Sequence, residues 1–194
     1  LCMFGGFDDL VNTPENAKNI KELRKHFFTD LAAGNIPEFT WLQPSLSALP
    51  GTNGPSWQHP DASVVEGERL IKEIYEAIVK SPKWNETLFL ITYDEHGGFY
   101  DHVAPLANVP SPDGIPCFDC STTKFDFTEL GVRVPTVAIS PWITKGTVVS
   151  EGDGNPLMDS AFESTSLMAT VNELLVVDAL PLGNRMAWAS KFTY

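Results

Sequence analysis

The feature that most constrains the fold is a helix followed closely by an apolar strand, within residues 63–93. The stretch SVVEGERLIKEIYEAIVKSP opens on a capping box formed by Ser63 and Glu66. Its apolar residues recur at helical spacing and give the helix one buried face: Leu70, Ile71, Ile74, Tyr75 and Ile78. The next apolar run, TLFLITY, is continuous and β-rich, which is typical of a strand buried on both faces. With an extended segment before it, this order predicts a βαβ unit and a parallel sheet.

The remaining elements are predicted from the same periodicities. TPENAKNIKELRKHFFTDLAAGN is a helix with Thr13 as its cap, Pro14 in its first position and Gly34 after its end. IPEFTWLQP is a short strand, and VRVPTVAIS is a second buried strand. A helix is expected over DSAFESTSLMATVNELLVV, with four inward residues: Leu167, Val171, Leu174 and Leu175. NRMAWASKF is expected to be a short surface segment, and residues 103–128 a loop rich in proline, aspartate and glycine.

Composition narrows the class of protein. The chain has 194 residues, 43% of them hydrophobic and 20% charged, which is enough for one globular domain with a core. Its 25 acidic and 13 basic residues give a formal net charge of −12, so a polyanion would be repelled and a nucleic-acid function is disfavoured. A metal ion would still allow the chain to bind phosphate. No segment has the roughly 20 apolar residues that span a bilayer.

Cys117 and Cys120 form a C-x-x-C pair in the sequence CFDC. A structural zinc site would need a second such pair, which the chain lacks. The flanking residues do not resemble a strand that leads into a helix, as a redox motif would require. We therefore expect two loop cysteines rather than a redox centre, and a local disulfide between them is an option in an oxidising compartment.

Two acidic residues, Asp94 and Glu95, directly follow the strand TLFLITY. Ligands of open α/β sheets collect beyond the carboxyl ends of the strands, so this pair lies at a predicted binding edge. An adjacent acid pair there has two interpretations: oxygen ligands for a divalent metal ion, or capping and ion-paired residues where a loop starts. Gly97 and Gly98 favour the first, because glycines let the backbone turn sharply and approach a ligand.

Three histidines lie near the acid pair in the predicted fold. His96 comes directly after it, and Asp101 and His102 form a second acid–histidine pair. His59 precedes the 63–82 helix, and in a right-handed βαβ unit that loop shares the edge with Asp94. His59 is either a proton donor or phosphoryl-binding residue, or an ordinary loop histidine before a proline. For His96 and His102 the sequence leaves a functional role and a structural one equally open.

The stretch TLFLITYDEHGGFYDHV resembles the phosphoesterase family that contains the bacterial and plant non-specific phospholipases C and related acid phosphatases. HPDASVVEGERLIKEIYEAIVKSPKW, FTELGVRVPTVAISPWITKGTVV, FESTSLMATVNELL and NRMAWA resemble further blocks of this family, most specifically within residues 56–150. The resemblance implies an α/β, alkaline-phosphatase-like fold with a mostly parallel sheet flanked by helices. It also implies that Asp94 and Glu95 bind a metal ion and that His59 lies at the phosphate site.

The chain departs from the family pattern at three places. The motif Glu-Asn-Arg-Ser-Phe-Asp-His, which supplies further metal ligands, is absent, and no block matches the region of the Ser or Thr nucleophile. Ser164 stands in FESTS where histidine is common. We therefore expect residues 1–194 to be the C-terminal part of a single phosphoesterase domain, with the nucleophile upstream of Leu1.

The resemblance implies an enzyme that hydrolyses phosphate esters by metal-assisted phosphoryl transfer, with phospholipids cleaved as by a phospholipase C. An acid phosphatase acting on soluble monoesters and a catalytically incomplete chain are the alternatives. The predicted catalytic residues are His59, His96 and His102, and the expected cofactor is Ca²⁺, Mg²⁺, Mn²⁺ or Zn²⁺. The expected partners are the phospholipid or phosphomonoester substrate and a membrane surface contacted peripherally. Location is left open, with secretion or a peripheral membrane location favoured over the cytoplasm.

Overall fold

The computed structural model describes residues 13–47, 54–60, 62–115, 117, 125–149, 152, 154, 156–176 and 180–192. Helices and strands are mixed along the chain. In order they are α1 (Pro14–Ala17), a π-helical turn (Leu23–Phe27), α2 (Phe28–Ala32), α3 (Val64–Lys80), a 3₁₀ turn (Trp84–Glu86), β1 (Phe89–Ile91), β2 (Val137–Ile139), α4 (Ser166–Leu175) and α5 (Asn184–Trp188).

The chain divides into two compact units. The first comprises Leu1–Phe89 and Ser140–Trp142, and the second comprises Leu90–Ile139 and Ile143–Tyr194. The expectation that all 194 residues belong to a single phosphoesterase domain stays a prediction.

The core of the first unit lies between α3 and the helical segment that ends in α2. Leu70, Ile74 and Ile78 of α3 pack with Phe27 and Leu31, and all five are buried. Their spacing of four residues along α3 places the three aliphatic side chains on one face, as the sequence predicted. Burial of each such side chain contributes about 1.5–3 kcal/mol, so this stripe is the main stabilising feature of the unit.

The start of α3 confirms half of the predicted capping box. The Ser63 hydroxyl accepts a hydrogen bond from the Val65 N–H at 3.4 Å, and the helix begins at Val64. The Glu66 carboxylate instead accepts from the Arg69 guanidinium at 2.9 Å, one turn along the helix. The ion pair takes the place of the reciprocal bond, because residues three apart are neighbours on a helix surface.

The predictions for residues 13–44 were partly wrong. The helix begins at Pro14 as expected but ends at Ala17, and helical structure resumes only at Leu23. Ile20 lies in the break and is 58% exposed, whereas Phe27 and Leu31, which follow the break, are buried. Residues 36–44 form no strand, and Trp41 is 64% exposed. The predicted βαβ unit therefore lacks its first strand.

The two strands lie where the sequence placed them but are shorter and less buried. β1 and β2 are neighbours in a two-stranded sheet of three residues each. β1 is half-buried, and Val137 of β2 is 50% exposed. Burial on both faces was therefore wrong for these strands. In the part of the chain that the structure describes, no third strand joins the sheet. A parallel sheet is buried on both faces only when helices cover both of them.

Two predictions for the C-terminal helices were wrong: which residues of α4 are buried, and that residues 184–192 form a surface segment. The buried residues of α4 are Ser166, Ala169 and Thr170, whereas Leu174 is 56% exposed and Leu175 is 42% exposed. The segment expected at the surface forms α5, whose buried residues are Arg185, Met186 and Trp188. The small side chains of α4 let α5 pack close to it, so the large apolar contribution comes from α5.

Candidate functional site

The acidic residues of the predicted site lie in a short loop, residues 92–101, which we call the acid loop. It leaves β1 after Ile91, and both Asp94 and Glu95 are exposed. Gly97 and Gly98 have φ values of 70° and 72°, a backbone conformation that favours glycine, so the Gly-Gly pair makes the predicted sharp turn. The Glu95 carboxylate accepts a hydrogen bond from the Gly97 N–H at 2.5 Å, which ties this acid to the turn.

His96 makes its own hydrogen bond inside the acid loop. Its Nδ1 lies 3.1 Å from the carbonyl oxygen of Phe99. A carbonyl oxygen only accepts, so Nδ1 carries the hydrogen and donates it. In the neutral ring this leaves Nε2 with a free lone pair, which can take up a proton or bind an ion. The hydrogen bond gives His96 a structural role in the acid loop, and its chemical role stays a prediction.

Asp101 closes the acid loop through a partner that the sequence analysis missed. Arg133 donates from Nε to Oδ2 of Asp101 at 2.7 Å and from its terminal nitrogen to Oδ1 at 2.8 Å. The Asp101 side chain is only 14% exposed, and the Val103 N–H also donates to it at 3.0 Å. Hydrogen bonding to Arg133 is the largest cause that holds the pKa of Asp101 well below its ordinary value. No local signal marks Arg133 in VRVPTVAIS, because its partner lies 32 residues earlier in the chain.

His102 is placed differently from His96. Its side chain is 83% exposed, and Nδ1 lies 3.6 Å from Oδ1 of Asp101, beyond hydrogen-bond distance. Its ring is therefore accessible for proton transfer or for an anionic ligand, and Asp101 adds a nearby negative charge.

His59 belongs to the first unit, in the loop before α3. Its ring stacks on Trp57 with centroids 4.8 Å apart and an interplanar angle of 23°. The neighbouring Gln58 packs against Gly67 of α3, where an added Cβ would lie 2.4 Å from the Gln58 Cγ. The missing side chain of Gly67 therefore lets this loop approach the helix. Asp94 and Glu95 belong to the second unit, so their common edge with His59 stays a prediction.

The acid pair can supply only part of a metal site. Among the described residues, no three His, Cys, Asp or Glu side chains come close enough together to hold an ion. Asp94 and Glu95 offer carboxylate oxygens, which suit Mg²⁺, Ca²⁺ and Mn²⁺, and these ions take six or more ligands. The carboxylate oxygens of Asp94 and Glu95 are therefore suitable ligands for such an ion. Two carboxylates do not complete its coordination, so other groups must supply the remaining ligands.

Cys117 is disulfide-bonded, as expected for a loop cysteine. Cys2 and Cys120 lie outside the described residues, so the predicted pairing within CFDC lies outside them too. A thiol held in a disulfide cannot act as a zinc ligand, which agrees with the exclusion of a zinc site at this residue.

We expect the pKa of the Asp101 carboxyl to lie below the ordinary range for aspartate, and to rise toward that range in Arg133→Gln, because the largest cause of the lowering is removed. Because folding favours the charged carboxylate, the pair stabilises the fold above about pH 4, and this contribution is lost as the pH falls further. The contribution is small, since Arg133 is 59% exposed and solvent screens the pair. Carbon-13 NMR of labelled carboxyl groups measures the shift directly. An Asp101 pKa that is the same in both proteins contradicts the assignment.

The comparisons with known proteins identify the family. The Phosphoesterase family matches residues 5–178, and the chain belongs to it. The chain is 45% identical over 182 residues to non-specific phospholipase C6 of Arabidopsis thaliana, covering 90% of this chain and 33% of that protein. It is 46% identical over 167 residues to non-specific phospholipase C5 of the same plant, covering 86% and 31%. The hemolytic phospholipase C of Pseudomonas aeruginosa is 32% identical over 151 residues, covering 74% and 19%.

These matches confirm the predicted family resemblance. The chain spans a third or less of the length of these curated relatives. Among the described residues, no helix is both long enough and apolar enough to cross a bilayer.

Proposed function

We propose that this chain is part of a phosphoric ester hydrolase that cleaves phospholipids in the manner of a phospholipase C. The observation that carries the proposal is the similarity to plant proteins named non-specific phospholipase C, which extends over 90% of the chain and includes the acid loop. Exposed carboxylates on a glycine turn are suited to binding an ion at a phosphate ester. Peripheral contact with a lipid surface follows from such a substrate.

The proposal extends to the fold of the whole protein. We infer an alkaline-phosphatase-like α/β architecture with a mostly parallel sheet, of which β1 and β2 are one part. Support comes from the order of α3 and β1 and from the acid loop, which follows β1 where ligands of α/β sheets collect.

Each candidate residue has a role in the proposed reaction. Asp94 and Glu95 hold a divalent cation, Ca²⁺, Mg²⁺, Mn²⁺ or Zn²⁺, which when bound polarises a phosphoryl oxygen. His59 binds phosphoryl oxygens or protonates the leaving alcohol, since an imidazole ring can donate a hydrogen bond or transfer a proton. His96 accepts a proton at Nε2, because Nδ1 is engaged with the Phe99 carbonyl. The exposed His102 is a second proton carrier at the end of the acid loop.

We expect the full-length protein to release diacylglycerol and a phosphorylated headgroup from phosphatidylcholine vesicles. The matched substrate is p-nitrophenyl phosphate, a soluble monoester, assayed at the same pH with the same divalent ion. Activity on the lipid alone or on both substrates supports the proposal. Activity on the monoester alone identifies an acid phosphatase, and no activity on either identifies a catalytically incomplete protein.

A further inference from the structure

Arg133 and Asp101 form the best-defined ion pair beside the acid loop. Both carboxylate oxygens of Asp101 are engaged by two different guanidinium nitrogens, at 2.7 and 2.8 Å. This fork geometry fixes the orientation of the carboxylate as well as its distance, which a lysine cannot do. Asp101 is the last residue of the acid loop, and Arg133 lies four residues before β2. The pair therefore links the end of the loop to the segment that leads into the neighbouring strand.

A second contact links the start of the acid loop to the same segment. The hydroxyl oxygens of Thr92 and Thr136 lie 2.9 Å apart, within hydrogen-bond distance. Thr92 is the first residue after β1, and Thr136 is the residue before β2. Both ends of the acid loop are thus joined to residues 133–136. Between these joints lie the acid pair, His96 and a Gly-Gly turn that on its own would be conformationally permissive.

We propose that Arg133 and Asp101 are positioning residues that hold the acid loop in the conformation in which Asp94, Glu95 and His96 act. The proposal rests on the proposed phosphoesterase function of the acid loop. In this role neither residue of the pair needs to touch the substrate, because the bidentate contact acts on the acid loop through Asp101. Outer partners that orient ligands or proton carriers typically change metal affinity or activity by about 10- to 100-fold when removed.

If the pair served only the stability of the fold, its loss would lower Tm and activity together. The Arg133 side chain is 59% exposed, and exposed ion pairs contribute little to the free energy of unfolding. Loss of the pair should therefore change the order of the acid loop much more than global stability. A small positional error in a catalytic group is enough to slow a reaction markedly, so the effect belongs in kcat.

The test uses the full-length protein with Arg133→Gln, Arg133→Lys and Asp101→Asn. The control is Arg24→Gln, which removes an exposed arginine that donates to Glu73 at 2.8 Å in the first unit. We expect kcat to fall on the order of 10- to 100-fold in Arg133→Gln, with KM within about twofold of wild type. Arg133→Lys should fall between Arg133→Gln and wild type, because it keeps the charge and loses the fork. The Tm of Arg133→Gln should match that of Arg24→Gln.

Hydrogen exchange supplies a readout that does not depend on turnover. In Arg133→Gln the amides of residues 92–101 should exchange faster than in wild type, while those of α3 stay unchanged. The affinity for Ca²⁺ or Mn²⁺, measured by calorimetry on the same proteins, should fall with kcat. Recovery of kcat in the swapped pair Asp101→Arg with Arg133→Asp would support the pairing further.

Several outcomes overturn the inference. They are a kcat for Arg133→Gln equal to that of Arg24→Gln, a rise in KM alone, unchanged exchange in residues 92–101, and full activity in Arg133→Lys. A Tm that falls in step with kcat assigns the pair to stability instead. If wild type shows no hydrolysis but Arg133→Gln mobilises the acid loop and weakens metal binding, the proposed function fails and the positioning role stands.

Discussion

Asp94→Asn in the full-length protein should reduce hydrolysis of the preferred phosphate ester on the order of 10³-fold, equivalent to about 4 kcal/mol of transition-state stabilisation. The substitution keeps the size of the side chain and removes its charge. Asp94 is exposed, and no hydrogen bond to its carboxylate is formed by the described residues, so the fold does not depend on it. The loss should therefore appear as weaker divalent-ion binding with unchanged Tm.

Glu95→Gln tests the second predicted metal ligand and can be compared with Asp94→Asn. Because the Glu95 carboxylate also accepts the Gly97 N–H, its loss combines an effect on the ion with an effect on the turn. The amide oxygen of glutamine can still accept that bond, so the turn should persist while the charge is lost. We expect Glu95→Gln to lower both activity and ion affinity, and the double variant to be no more than slightly worse than either single one, since both ligands serve the same ion.

Glu129→Gln is the matched control for both acids, because it removes one negative charge from an exposed residue of the second unit. It should leave activity and ion affinity at the wild-type level. Calorimetric titration with Ca²⁺ and Mn²⁺ separates binding from catalysis. If Asp94→Asn binds the ions as tightly as wild type, the assignment of Asp94 as a ligand is wrong, whatever happens to activity.

The features that the sequence predicted best depend on neighbouring residues. Helix α3 was predicted closely because Ser63 caps it and its apolar residues recur every turn. The turn at Gly97 and Gly98 was predicted because their positive φ values favour glycine. These signals are local, so they can be recognised without knowing the fold.

The features that the sequence missed depend on residues far apart in the chain. Arg133 has no local signal, since only the fold brings it to Asp101. The burial of α4 was inverted because periodicity reports where the large apolar residues lie, not which side another helix will pack against. Here the small residues Ala169 and Thr170 are buried, and Leu174 is left exposed. The resemblance identified the family, while the roles of the site residues stay predictions.

Arg185 is the clearest case of a structural residue that the sequence placed at the surface. Its side chain is 10% exposed and donates to the carbonyl oxygens of Pro110 and Phe127, both at 2.6 Å. These two carbonyls follow and precede an antiparallel bridge between Ala107 and Glu129. Arg185 thus links α5 by hydrogen bonds to both of the chain segments that form the bridge.

We expect Arg185→Met to lower the free energy of unfolding by about 3 kcal/mol, because removing one partner of a buried charged network strands the others. The Glu163 carboxylate, 3.9 Å from the guanidinium and 8% exposed, would lose its cationic neighbour, and among the described residues only the Thr165 hydroxyl and N–H would still donate to it. The Phe127 carbonyl would lose its donor next to a backbone φ of 62°, which is strained for a residue with a side chain. Methionine fills most of the space, so the loss reports the polar contacts rather than a cavity.

Urea denaturation of the full-length protein, followed by tryptophan fluorescence, measures this difference. Arg24→Met is the control, since the Arg24 side chain is 46% exposed and its ion pair with Glu73 should be worth less than about 1 kcal/mol. Equal losses in the two variants would mean that Arg185 is no more than a surface arginine. In Arg185→Met with Glu163→Gln, removal of the stranded charge should recover part of the loss, because a neutral amide costs less to bury than a carboxylate. That recovery would show that charge burial, and not packing, sets the cost of losing Arg185.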